Sequence, residues 1–201
     1  MKSSVTLRKI TSEHQKLVQT ILNAAPSYYM KIDGVPDAGS AKSVFEELPP
    51  NCTFENKHVL LIEEASIPVG VIDLVIGYPN SKVAFIGLLV LDEKYQGRGL
   101  GKRSYEALED YIRQFSIDSI QLGVNDTNEI GMLFWPKMGY KLQGRTRINQ
   151  GIKVTSNVYV MEKNLIPHVF HAPMILRPID ESIQPVEVVD GKVGNHFRSI
   201  Y

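Results

Sequence analysis

The stretch Val83-Ala84-Phe85-Ile86-Gly87-Leu88-Leu89-Val90-Leu91, followed by Asp92-Glu93-Lys94-Tyr95-Gln96-Gly97-Arg98-Gly99-Leu100-Gly101-Lys102, decides how the chain is read. Its first nine residues form an apolar strand, the glycines make a turn, and an amphipathic helix then runs to near Phe115. Glycines at 97, 99 and 101 remove the Cβ atoms that would hold a ligand off the backbone. They fall where a helix presents its first unpaired N–H groups and the positive end of its dipole. Arg98, Lys102 and Arg103 add formal positive charge. That combination suits a phosphate or pyrophosphate.

Spacing separates three kinds of glycine loop. The dinucleotide pattern G-x-G-x-x-G fits Gly97 and Gly99 but puts Lys102 where its third glycine belongs, and no acidic residue closes a second strand about 20 residues on. The nucleoside-triphosphate pattern G-x-x-x-x-G-K-[ST] fits Gly101-Lys102, but Gln96 replaces its first glycine and Arg103 its hydroxyl. The pattern that fits is [Q/R]-x-x-G-x-[G/A], as Gln96 to Gly101, with Tyr95 directly before it.

Working outward, the 201 residues suit one domain with an appendage, and 43% hydrophobic content is ample for a core. A formal net charge of zero gives no basic field for nucleic acid or an anionic membrane. The single cysteine, Cys52, excludes an internal disulfide and fits a reducing compartment. Residues 1–20 lack the apolar core of a signal peptide, and no apolar run approaches the ~20 residues of a membrane span. The expectation is a cytoplasmic protein.

Val5–Ile10 alternates like a first strand, and Ser12 with Gln15 reads as a capping box before Leu17, Val18, Ile21 and Leu22 at helical spacing. Residues 26–40 read as a turn-rich aromatic segment, and Ser40 caps a second helix stopped by Pro49-Pro50. His58–Glu63 and Val69–Ile76 make a hairpin, followed by the turn Gly77-Tyr78-Pro79-Asn80. Beyond the central strand and helix, Ile117–Val124 is a strand, a short helix follows, and Tyr140–Arg147 with Ser156–Lys163 closes the sheet around Asn149-Gln150-Gly151. The predicted fold is α/β (α+β): a mixed, largely antiparallel sheet flanked by helices. Past it, Pro167, Pro173, Pro178 and Pro185 keep the chain extended. The expected division is a domain over 1–164 and a Pro-rich arm over 165–201 that packs on the body or on a partner subunit, as in a homodimer.

A second motif completes the picture: Asn128-Glu-Ile-Gly-Met-Leu-Phe-Trp135-Pro-Lys137-Met-Gly139-Tyr140, an Asn, a short helix and a closing Lys-x-Gly-Tyr. With the loop at Gln96–Gly101, this order and distance resemble the GNAT superfamily of N-acetyltransferases, over roughly Val59 to Lys163. The resemblance implies acetyl transfer from acetyl-CoA to an amine. Gln96, Gly97, Arg98, Gly99, Leu100, Gly101 and Lys102 would hold the cofactor's pyrophosphate. The strand edge at Leu89, Val90 and Leu91 would take the pantetheine arm as an added strand, with one amide polarising the thioester carbonyl. Asn128 would touch the pantetheine or the adenosine side, and in relatives the two central strands splay apart to admit the arm.

One departure stands out. The family's frequent acid is a tyrosine at the position of Trp135, which stays assigned to the cofactor site although its indole N–H cannot usefully reprotonate a thiolate. Tyr140 and Tyr105 remain as acids, and Asp73, interrupting an apolar strand, is the base or amine anchor. Relatives shape the acceptor pocket with the segments holding Tyr28, Tyr29, Asp33 and Tyr78, and aromatics beside Asp33 and Asp37 would suit a cationic amine. His168, His171 and His196 have no cysteine partners or helical setting, so no metal site is expected. The alternative reading is a weakly catalytic acyl-CoA-binding module.

Overall fold

The structure, a computed structural model, describes residues 4–33, 40–150 and 154–165. Apolar runs without alternation must be covered on both faces, and Val83–Leu91, the strand β4, is buried along its length except at Gly87. Before it come β1 (Val5–Lys9), β2 (Lys57–Glu64) and β3 (Ile67–Ile76), and after it β5 (Ser119–Asn125), β6 (Lys141–Gln150) and β7 (Val154–Asn164). They form one seven-stranded sheet in the order β1-β2-β3-β4-β5-β7-β6. Its neighbours are antiparallel except for β4 and β5. This is the mixed, largely antiparallel sheet that the sequence predicts.

The helices are α1 (Gln15–Asn23), α2 (Pro26–Asp33), α3 (Ala41–Glu46), α4 (Leu100–Ile112) and α5 (Glu129–Lys137). Side chains alternate across a strand, so β2 sends Leu60 and Ile62 to one face and Val59 and Leu61 to the other. The first face packs, with Ile72, Leu74 and Ile86, under Leu100 and Leu108 of α4. The second packs, with Val71, Leu88 and Val90, under Val18 and Leu22 of α1, Tyr29 of α2 and Val44 of α3.

Two features of β4 prepare a site. Against β3, Asp73 lies opposite Leu88 but Leu74 opposite Ile86, so Gly87 is an extra residue, a bulge that bends the strand. Against β5, pairing covers only Val83–Ile86 with Ser119–Leu122. β5 nevertheless stays paired with β7 through Asn125. The two parallel strands therefore part beyond the bulge.

Local readings fare unevenly. Ser40 caps α3 as expected, its hydroxyl accepting from the Lys42 N–H at 3.2 Å. The capping box at Ser12 does not form: Ser12–His14 is a 3-10 turn with Thr11 at its N-cap and no side-chain cap bond. Residues 26–33, read as turns, are the helix α2, with Pro26 at the first helical position, where its missing N–H costs nothing. The centre of the closing turn at 151–153, Asp37, the histidines at 168, 171 and 196, and the arm beyond 165 lie outside the described residues. No helix among the described residues is long and apolar enough to cross a membrane.

His58 on β2 is buried against the end of α4, its Nδ1 2.6 Å from the Tyr111 hydroxyl and its ring edge-on to Phe115 at 5.2 Å. Burial, with the nearby Lys9 charge, holds its pKa below the ordinary 6.5. The unfolded chain therefore binds this proton more readily, and the stability that neutral His58 contributes is whole above that ordinary value. It is lost as pH falls through 6.5 toward the lower folded value. Thermal midpoints measured across that range should fall with pH more steeply for the native chain than for His58→Gln. Parallel curves would contradict this assignment.

Candidate functional site

The turn after β4 is built by local bonds. Asp92 ends the strand and accepts from the Lys94 N–H at 3.1 Å, starting a 3-10 turn over Glu93–Tyr95. Gln96 then folds back, its Nε2 donating to the Leu91 carbonyl at 2.9 Å. Gly97 and Gly99 follow at φ of 78° and 76°, in the left-handed region that side chains resist. A Cβ on either would meet nothing within 4 Å, so these glycines serve backbone conformation rather than relieve crowding.

Gly99 is the N-cap of α4 and brings no capping side chain. The first bond returning to the cap is from the Arg103 N–H to the Gly99 carbonyl, at 3.3 Å. The N–H groups of Leu100, Gly101 and Lys102 precede it at the positive end of the helix. Of the three cations read from sequence, Arg98 lies over the Tyr95 ring, 4.9 Å from its centre, with no carboxylate partner among the described residues. Lys102 has Glu106 at 3.7 Å on the surface. Arg103 corrects the expectation: it turns away to Glu64 at 2.6 Å and is committed there.

Register decides which β4 groups face the opening. The Asp92 N–H donates to the Val69 carbonyl at 2.9 Å, so Asp92 and Val69 form a hydrogen-bonded antiparallel pair. Such pairs alternate. Val90, paired with Val71, therefore turns its backbone groups to β3, while those of Leu89 and Leu91 point to the edge that β5 has left.

At the mouth of this opening is a recess. Its walls are Val90 of β4, Glu93 and Gln96 of the turn, and Ser27 and Tyr28 of α2, with Asn128 and Ile130 at the start of α5. Asn128 is buried and caps α5, its Oδ1 accepting from the Gly131 N–H at 2.9 Å. The fold thus brings together Val90, Gln96, Asn128 and Tyr28 from four separate segments. Glu93, which sequence reasoning passed over, stands among them. Its signal was only its place directly after the strand, in a polar run that reads as a solvated turn.

Other expected site residues lie elsewhere. Trp135 is fully buried and packs edge-on to Tyr140 at 5.1 Å and Tyr105 at 5.6 Å, which makes it a core residue under α4. Tyr140 shares that cluster and does not line the recess. Burial, reinforced by the facing Tyr105, pushes its phenol well above the ordinary range, the wrong direction for an acid. Tyr105 is raised for the same first reason.

Asp73 sits over the bulge, where a Cβ on Gly87 would come within 3.2 Å of its Oδ2. Both its oxygens take hydrogen bonds from the buried Lys57 ammonium, at 2.8 and 2.9 Å, and Lys57 also donates to the Glu47 carbonyl at 2.8 Å. A carboxylate that would have to leave a buried cation to accept a proton is better described as half of an ion pair than as a base. Tyr29 is buried beneath α1, edge-on to Tyr28 at 4.9 Å. Tyr78 packs edge-on to Phe85 at 5.5 Å, at the closed end of the opening rather than at its mouth. Asp33 ends α2, next to the recess-lining turn of that helix in sequence. Among the described residues no three His, Cys, Asp or Glu side chains converge as a metal site.

Comparison with known proteins agrees with this fold. The model of a family described as acetyltransferase (GNAT) matches residues 19–140. No curated protein matches the chain. An acetyltransferase from Thermus thermophilus superposes with a TM-score of 0.62 at 22% identity, over 82% of this chain and 100% of that one. The PaiA N-acetyltransferase of Thermoplasma acidophilum, solved with coenzyme A, gives 0.56 at 20% identity, over 81% and 99%. An aminoglycoside acetyltransferase, AAC(6')-Ib, also solved with coenzyme A, gives 0.62 at 19% identity, over 80% and 95%. At such identities the likeness is one of fold.

Two substitutions test the site. Gly99→Val puts a β-branched side chain at positive φ, a strain of ~1–3 kcal/mol. Calorimetric titration should find coenzyme A binding weakened at least tenfold with the circular dichroism of the fold retained. Trp135→Ala should lower unfolding free energy in urea by about 3–5 kcal/mol, as for a core aromatic. A lost turnover with unchanged stability would instead put the indole at the chemistry.

Proposed function

The chain belongs to the GNAT acetyltransferase family, and from that premise we propose that it transfers the acetyl group of acetyl-CoA to an amine by direct attack in a ternary complex. The observation that carries this reading is the parting of β4 from β5 beyond Ile86, with the glycine turn at its open end. The bare N–H groups at the start of α4, with Arg98 beside them, suit the cofactor's diphosphate. The Leu89 and Leu91 edge suits the pantetheine amides, which then complete the sheet as an added strand. Two solved relatives hold coenzyme A, which supports a CoA-type donor.

The chemistry follows from that placement. A neutral amine nitrogen attacks the thioester carbonyl carbon, and an edge N–H steadies the oxyanion that forms. The nitrogen gives its extra proton to water, the C–S bond breaks and the thiolate leaves. With Trp135 buried where relatives frequently have a tyrosine, the thiolate takes its proton from water.

That same burial favours a second reading, a module that binds acyl-CoA and turns it over weakly. Incubation with acetyl-CoA and a panel of primary amines, following free CoA thiol, separates the two. Steady thiol release with formation of the N-acetyl amine is expected. An intact thioester after long incubation, with tight cofactor binding, would leave only the binding module. In either case coenzyme A at 100-fold over its dissociation constant should stabilise the fold by about 2.7 kcal/mol. A larger stabilisation by ATP or NAD would overturn both readings.

A further inference from the structure

Strand β6 (Lys141–Gln150) is the last in the sheet, and among the described residues β7 is its only strand partner. Register shows what its open side offers. The Asp126 N–H donates to the Asn157 carbonyl at 2.9 Å, so the backbone groups of Asn157 turn to β5. Directions alternate along an antiparallel ladder. Val158 therefore bonds to Thr146, while the backbone groups of Arg145, Arg147 and Asn149 point away from β7. Residues 141–145 are all exposed, and Leu142 is 58% exposed although Met161, opposite it, lies in the core. An open edge of 10 residues is a template for a further strand.

Charge and chain length say which strand. The edge is basic: 141–150 holds Lys141, Arg145 and Arg147 and no Asp or Glu. Two copies joined through it would set like charges against each other, which destabilises a ladder. The same chain carries the complement. Its residues 179–190 hold Asp180, Glu181, Glu187 and Asp190 and no Lys or Arg. Within them Val186-Glu187-Val188-Val189 has the β-branched composition of a strand, with Pro185 at its start, where a strand tolerates proline. The described residues end at Leu165, which is buried and donates its N–H to the Asp118 carbonyl at 2.8 Å. That end lies beside the start of β6, since Glu162 pairs with Lys141. Residues 166–185 span ~60 Å when extended, enough to pass along β6, about 33 Å long, and turn back.

We infer that residues 186–190 add a strand to the free edge of β6 within the same molecule, antiparallel to 145–149. That register sets Asp190 directly opposite Arg145, a favourable cross-strand pair. The inference is independent of the acetyl-transfer reading.

Of two adjacent strand residues one turns its N–H to β6, so Val188→Pro combined with Val189→Pro removes a donor in every register. Val188→Thr with Val189→Thr keeps both donors and the β-branched shape. Amide exchange at Arg145, Arg147 and Asn149 is followed by NMR in the whole chain, with the oligomeric state measured by sedimentation. In the monomer these amides should exchange at least tenfold more slowly in the native chain and the threonine variant than in the proline variant, with β5 amides unchanged. Equal exchange in all three overturns the inference. So does protection present only in a dimer, which would give the edge to a second copy.

Discussion

Strand β4 has a partner along one side for nearly its whole length and along the other for only four residues, Val83–Ile86. Backbone N–H and C=O groups inside a protein must be paired, and an open strand edge is ordinarily a liability. Here the opening is specified by the backbone itself. Gly87 inserts one residue opposite β3, and Asp73, locked to Lys57, stands so close that only a glycine fits without displacement. Beyond that point β4 bends while β5 continues beside β7. The glycine turn and the start of α4 stand at the open end of the gap that results.

The gap is furnished from both faces of the sheet. From one side come α4, with its uncapped start, and α5, whose Asn128 reaches the recess while Trp135 fills the core behind it. From the other come α1 and α2: Glu93 in the turn after β4 donates its N–H to the Ala24 carbonyl that ends α1 and accepts from the Ser27 N–H of α2. The turn after β4 and the helices on that face of the sheet are thus tied through a single residue. A shift of the turn would move the start of α2 with it.

How far the sequence was legible depends on the range of the interaction concerned. The Gly97–Gly101 turn, the Ser40 cap and the alternation in β2 are written within a few residues, and each was readable. The helix α2 was not. Its first N–H is satisfied by Glu93, 66 residues away, and without that partner Pro26-Ser27-Tyr28-Tyr29 reads as a turn. Trp135 stands where the family frequently has a tyrosine acid and Tyr140 is a nearby candidate; that both pack against Tyr105 in the core is a long-range outcome no local spacing foretells.

By itself, then, the sequence determined the strand, glycine turn and helix, the mixed sheet and the membership in an acyltransferase family. The elements depend on local spacing, conformational limits on φ and the periodicity of apolar residues, and the family on the resemblance that two motifs carry. Only the tertiary structure decided that β4 and β5 part after Ile86, that Asp73 is spent on Lys57, and that Glu93 rather than Asp73 stands in the recess. Those outcomes rest on register and on contacts between segments far apart in the chain. No window of sequence contains both partners.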